Sequence, residues 1–152
     1  MFTCLLLGEI SVNSLIKNYK TNKPDRMPVI LLIEDEKEMR EMLKSALVKK
    51  NYTVIEAENG KEAILHFKPF VTDIVVTDLI MPEEDGLKAI MKIREMKPGI
   101  KIIAYSGGGK AGPGSYLNMA KTLGADVILS KPFSVCEMTS KIEEMLITEQ
   151  TE

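Results

Sequence analysis

Tryptophan is absent from the 152 residues, histidine occurs once and cysteine twice. One histidine, His66, cannot build the multi-imidazole shell of a zinc or copper centre, and Cys4 and Cys136 show no CxxC or Cys/His spacing. Two thiols so far apart are also too few for a disulfide framework, so reduced cysteines in a cytoplasmic protein are expected. No apolar run approaches the roughly 20 residues that cross a bilayer, so no membrane segment is expected. Leu5–Leu7 is interrupted by Glu9 and has no basic residue before it, which argues against a secretory signal. The net charge of −2 gives no broad electrostatic reason to bind nucleic acid or an anionic membrane surface. Neither an internal repeat nor a second domain is visible.

What is there is ordinary globular material, 45% hydrophobic and 28% charged, in a chain long enough for one well-buried core. Three segments are expected: an extension or linker over 1–27, a domain over 28–148 and a polar tail over 149–152. Within the first, Val12, Leu15, Ile16 and Tyr19 share one helical face, and Lys20–Arg26 reads as a polar linker. That extension is either a marginal appendage ahead of Met27 or a short helix that docks on the domain or a partner.

The domain alternates short apolar runs with amphipathic stretches. Val29–Ile33 reads as a strand covered on both faces, and a helix follows with Met39, Met42, Leu43, Ala46 and Leu47 on its inner stripe. Thr53–Ala57 is a second strand, Asn59–Gly60 a turn, and Lys61–Lys68 a short helix stopped by Pro69. Ile74–Asp78 is the third strand, followed by a helix over Leu87–Met96 with Leu87, Ile90, Met91 and Arg94 along one side. Ile100–Tyr105 leads through Ser106 into a glycine-rich loop at 107–114. A helix over about Tyr116–Leu123 then ends at a Gly124 cap. Val127–Leu129 and a helix over Val135–Ile147, with Met138, Ile142, Met145 and Leu146 inward, complete the pattern. Five strands alternating with five helices predict an α/β, doubly wound parallel sheet.

In such a sheet the carboxyl ends of the strands share one edge, where α/β proteins hold ligands. The first strand ends at Glu34–Asp35, the third at Asp78, the fourth at Ser106 and the fifth at Lys131. Asp caps helices, Ser turns chains and Lys decorates surfaces, so each residue alone has a dull use. Four such coincidences at four strand ends are a different matter. Clustered carboxylates repel unless paired, and a hard cation such as Mg²⁺, which takes oxygen ligands, relieves the repulsion. Asp78 then has an oxygen free to attack an electrophile and form an aspartyl phosphate. Lys131 and Ser106 would meet the phosphoryl oxygens as point charge and donor.

The stretches LLIEDEKEMREML (31–43), NGKEA (59–63), VVTDLIMPEEDG (75–86), IIAYSG (102–107) and GADVILSKPF (124–133) resemble, in order and spacing, the receiver domain of two-component response regulators. The resemblance runs from Pro28 to about Ile147 and implies a flavodoxin-like sheet in the order 2-1-3-4-5. It implies that Asp78 accepts the phosphoryl group from a sensor histidine kinase or histidine phosphotransfer protein. It further implies that Asp35, Asp78 and the backbone carbonyl of Ile80 bind Mg²⁺, with Glu34 helping through water. Ser106 and Lys131 would hold the phosphoryl group, and Pro132 would follow a cis peptide. In the family an aromatic on the fifth strand turns inward on activation, whereas Ile128 stands at that position here. Tyr105 neighbours Ser106 and, by strand alternation, faces the other side of the sheet.

The expected function is that of a stand-alone receiver, since only a few polar residues follow Ile147. Its output would be a protein contact through the face of the fourth helix, fifth strand and fifth helix, as a monomer or a phosphorylation-dependent dimer. A phosphorylation-independent interaction module is the alternative. A phosphatase with external substrates is disfavoured, because Ile80, two beyond Asp78, cannot protonate a leaving group. The literal GxGxxG of Gly107, Gly109 and Gly112 follows the wrong strand for a dinucleotide site, and Pro113–Gly114 is expected to disrupt the helix start such a site needs. His66 is expected to be an ordinary, partly exposed helical residue, and the ten methionines are expected mostly on core-facing stripes.

Overall fold

The computed structural model of the chain describes residues 26–82, 85–107 and 113–148. The expected N-terminal helix face, Cys4, most of the glycine-rich loop and the polar tail lie outside the described residues. Five strands, β1 (Val29–Ile33), β2 (Thr53–Ala57), β3 (Ile74–Asp78), β4 (Lys101–Ser106) and β5 (Val127–Ser130), alternate with five helices. The helices are α1 (Lys37–Lys49), α2 (Gly60–His66), α3 (Asp85–Met96), α4 (Pro113–Thr122) and α5 (Val135–Thr148). All strand pairs are parallel, in the order β2-β1-β3-β4-β5.

Alternation along the strands divides the core into two layers, because successive side chains point to opposite faces. Ile30, Leu32, Ile74, Val76, Ile103 and Tyr105 face α1 and α5, where Leu43, Leu47, Met138, Ile142 and Met145 complete the layer. Leu31, Ile33, Val75, Ile102 and Ala104 face α2, α3 and α4, where Ala63, Leu87, Ile90, Ile93 and Ala120 complete the other. Every residue of β1 and β3 is buried, so the two strands that end in the acidic residues are rigidly held. The start of β1 is pinned by Asp73, whose Oδ2 accepts the Val29 N–H at 2.7 Å while Arg26 pairs with the same carboxylate.

Several boundaries and orientations differ from expectation. α2 ends at His66, where the Phe67 N–H closes on Ala63 O at 2.8 Å and the chain turns extended well before Pro69. α4 begins at Pro113, since proline is tolerated in a first helical turn, where its missing N–H has no partner to lose. Five of the methionines (Met27, Met42, Met91, Met96 and Met119) are exposed rather than core-facing. In α1 the place Met42 was expected to share on the inner stripe is taken by Arg40, which is 7% exposed. In α3, Ile93 rather than Met91 turns inward. Gly124 caps α4 as expected: at φ 104° its N–H bonds to Lys121 O, and the Ala125 N–H bonds to Ala120 O.

Candidate acidic phosphoacceptor site

The five strands deliver their chemistry to one edge. Glu34, Asp35, Glu36, Asp78, Ile80, Gly107 and Lys131 line a single cavity at the carboxyl ends of β1, β3, β4 and β5. Glu34, Asp35 and Asp78 each offer a carboxylate oxygen, and these oxygens all lie within 4.8 Å of one another. Such an all-oxygen donor set of three anions fits a hard dication and does not suit a soft metal.

Asp78 is 3% exposed and both its oxygens are engaged. Oδ1 accepts the Ile80 N–H at 2.8 Å, and Oδ2 accepts from Lys131 Nζ at 2.9 Å. Burial alone would lower the Lys131 pKa, but the hydrogen bond and charge of Asp78 outweigh it and raise the ammonium above its usual value. Lys131 precedes a cis peptide to Pro132. Gly107 makes room for its stem, because a Cβ there would sit 3.2 Å from Lys131 Cδ. Ser106 is the last residue of β4, not the first of the loop, and its Oγ is fully buried without a hydrogen-bond partner. A buried donor left unpaired costs about 1–3 kcal/mol, so such groups cluster where a ligand completes them.

Glu34 is fully buried. Its Oε1 accepts the Glu36 N–H at 3.1 Å and its Oε2 accepts the Tyr105 hydroxyl at 2.7 Å. Burial raises its pKa despite these donors, with the negative charge of Asp78 adding to the rise. Burial also pushes the Tyr105 phenol well above its usual value, reinforced by the charge of Glu34. Opposite them, Gly86 brings α3 onto the end of β3, and a Cβ at that position would lie 2.3 Å from the Asp78 carbonyl oxygen.

Glu34, Asp35, Asp78, Ile80 and Lys131 are thus brought together as expected, and Ser106 stands on the same edge. Two participants escaped the sequence reading. Arg40 donates to Glu34 O at 2.7 Å and to Glu58 Oε1 at 2.9 Å, tying the β1–α1 turn to the chain just past β2. Its signal was its place on the α1 stripe beside Leu43 and Leu47. Tyr105 does face away from Ser106, but that side is where Glu34 lies: both share the parity of the α1/α5 layer. Ile128, at the usual aromatic position, is half-buried against the other layer.

The sequence profile of the response regulator receiver domain matches residues 30–143. The chain belongs to the response regulator receiver family. Over 122 residues it is 34% identical to the response regulator receiver protein CpdR of Brucella abortus, covering 80% of this chain and 98% of that one. A response regulator receiver domain protein from Clostridium thermocellum superposes with a TM-score of 0.74 at 24% identity, over 82% of this chain and 98% of that one. The response regulator TrrA of Thermotoga maritima, solved in complex with Mg²⁺–BeF, superposes at 0.66 with 32% identity, over 78% and 99%. Receivers are phosphoacceptor modules of two-component signalling rather than metabolic enzymes, and they typically bind Mg²⁺ at an acidic pocket. Among the described residues of this receiver, no helix is long and apolar enough to cross a membrane.

Proposed function

We propose that this receiver takes a phosphoryl group from a histidine kinase or histidine phosphotransfer protein onto Asp78, and that the modified domain changes its protein contacts through α4, β5 and α5. The observation that carries this reading is the convergence on one carboxylate of Lys131 and two further acidic side chains, with the buried, unpartnered Ser106 hydroxyl on the same sheet edge. Mg²⁺ would be held by Asp35, Asp78 and the Ile80 carbonyl, with Glu34 helping through water, and when bound it would neutralise the charge on the incoming phosphoryl oxygens. An Asp78 oxygen attacks phosphorus as the phosphorus–nitrogen bond of the donor phosphohistidine breaks, and the imidazole leaves with its electron pair and gains a proton from water. Lys131 then exchanges its bond to Asp78 for one to the phosphoryl oxygens. The Ser106 hydroxyl donates to the same group and so loses its unpaired state. Hydrolysis restores the free carboxylate: water attacks phosphorus and gives up a proton to solvent, the phosphorus–oxygen bond to Asp78 breaks with its electron pair going to the carboxylate, and inorganic phosphate leaves.

The test is intact mass after incubation with Mg²⁺ and acetyl phosphate, beside Asp78→Asn. One phosphoryl mass that requires both Mg²⁺ and Asp78 is expected. No gain in folded protein would refute the proposal. Ile128 at the family's switch position favours a second reading, a phosphorylation-independent interaction module, and that result would select it.

A further inference from the structure

We propose that Tyr105 is a positioning residue of the metal pocket: its hydroxyl fixes the Glu34 carboxylate in the orientation that turns it toward Asp35 and Asp78. The inference rests on the Mg²⁺ reading of the pocket and assigns a role to a residue outside the cavity lining.

The Tyr105 side chain runs from β4 beneath β3 to the end of β1, two strand spacings away, and reaches Glu34 Oε2 at 2.7 Å. That is the length of a well-formed O–H···O hydrogen bond. The ring cannot drift, because Tyr105 is fully buried. Phe133 packs edge-on with centroids 5.1 Å apart at 66°, and the residue's own carbonyl accepts the Leu79 N–H at 3.0 Å. With Oε1 held by the Glu36 N–H, both Glu34 oxygens are tied, yet a carboxylate has about four acceptor directions, so two remain for a cation. The same ring backs the cation of the pocket, with Lys131 Nζ 5.3 Å from its centroid. One aromatic therefore sets the placement of an acid from β1 and an ammonium from β5. Partners that orient the carboxylates of a metal pocket in this way are worth about 10–100-fold in metal affinity.

The experiment is a Mg²⁺ titration of the full chain, followed by calorimetry and by the backbone amide shifts of residues 34–36 and 78–80. Tyr105→Phe, which keeps the ring and deletes only the hydroxyl, is expected to weaken Mg²⁺ binding about tenfold. In a Glu34→Ala background the same change is expected to have no further effect, since the residue acts through Glu34. An unchanged dissociation constant in Tyr105→Phe overturns the proposal, as does an equal loss in both backgrounds, which would mark a purely structural contribution. Should Tyr105→Phe fail to fold, the ring ¹³Cζ shift of Tyr105 in the unmodified protein decides. It must move with Mg²⁺ saturation while that of Tyr52 stays still, and a static signal overturns the proposal. Failure of the unmodified protein to bind Mg²⁺ would bring down the metal reading itself, and this inference with it.

Discussion

Gly86 offers the sharpest test of how the site is held. It is the second residue of α3, a position where helix propensity alone favours alanine by up to about 1 kcal/mol. The structure predicts the opposite sign. An added Cβ would lie 2.3 Å from the Asp78 carbonyl oxygen and 2.9 Å from the Leu79 Cα, both backbone atoms that have no rotamer to escape into. Restoring ordinary contact requires α3 to retreat by about 1 Å from a core in which Leu87, Ile90 and Ile93 are buried, and overpacking of this kind costs about 1–3 kcal/mol. Net of propensity, Gly86→Ala is expected to lose about 1 kcal/mol in urea unfolding, or about 3–4 °C in Tm for a domain of this size. Gly114, the second residue of α4, is the matched control: a Cβ there meets nothing within 4 Å. Gly114→Ala is expected to be neutral or to gain about 0.5 kcal/mol. If the two variants shifted the urea midpoint equally, or if Gly86→Ala stabilised the fold, α3 would not be pressed on the strand that ends in Asp78.

Two further outcomes follow from the buried polar groups. Burial holds the Glu34 carboxyl above its ordinary value, so its contribution to stability is complete below the unfolded pKa and is lost as pH rises through the raised folded one. Glu34→Gln is therefore expected to raise the urea midpoint of the metal-free protein at pH 7, an advantage that shrinks to nothing near about pH 4, and a difference independent of pH would refute this. Arg40→Met removes the donors to Glu34 O and Glu58 from a buried position, with an expected loss of about 2 kcal/mol measured by urea unfolding, and no loss would show those bonds to be idle.

The sheet and its order were readable because apolar runs such as VILLI and IVVTD are long enough, and punctuated sharply enough, to mark buried strands. The acidic cluster was readable for the same reason, since position at a strand end fixes location without any knowledge of side-chain conformation. What escaped was set by geometry that one-dimensional patterns do not encode. Met42 and Met91 fall close to an apolar stripe but a few tens of degrees outside it, so Arg40 and Ile93 occupy the inner face. Parity assigned Tyr105 its side correctly, yet a reach across two strands to Glu34 is a property of the assembled sheet. The pattern leaves the start of α4 open, and the structure sets it at Pro113, where proline serves as the opening residue.

Asp78 and Lys131 pair across 53 residues of chain, and Tyr105 and Glu34 across 71. No local segment contains even a rudimentary form of the pocket, and its last member arrives with the final strand. A chain released with β5 unpaired would have the Asp78 carboxylate without its counter-ion, and one with β4 displaced would lose the prop under Glu34. The ability to receive a signal is thus a property of the finished domain alone. On the proposed reading, an immature or partly unfolded copy would be silent.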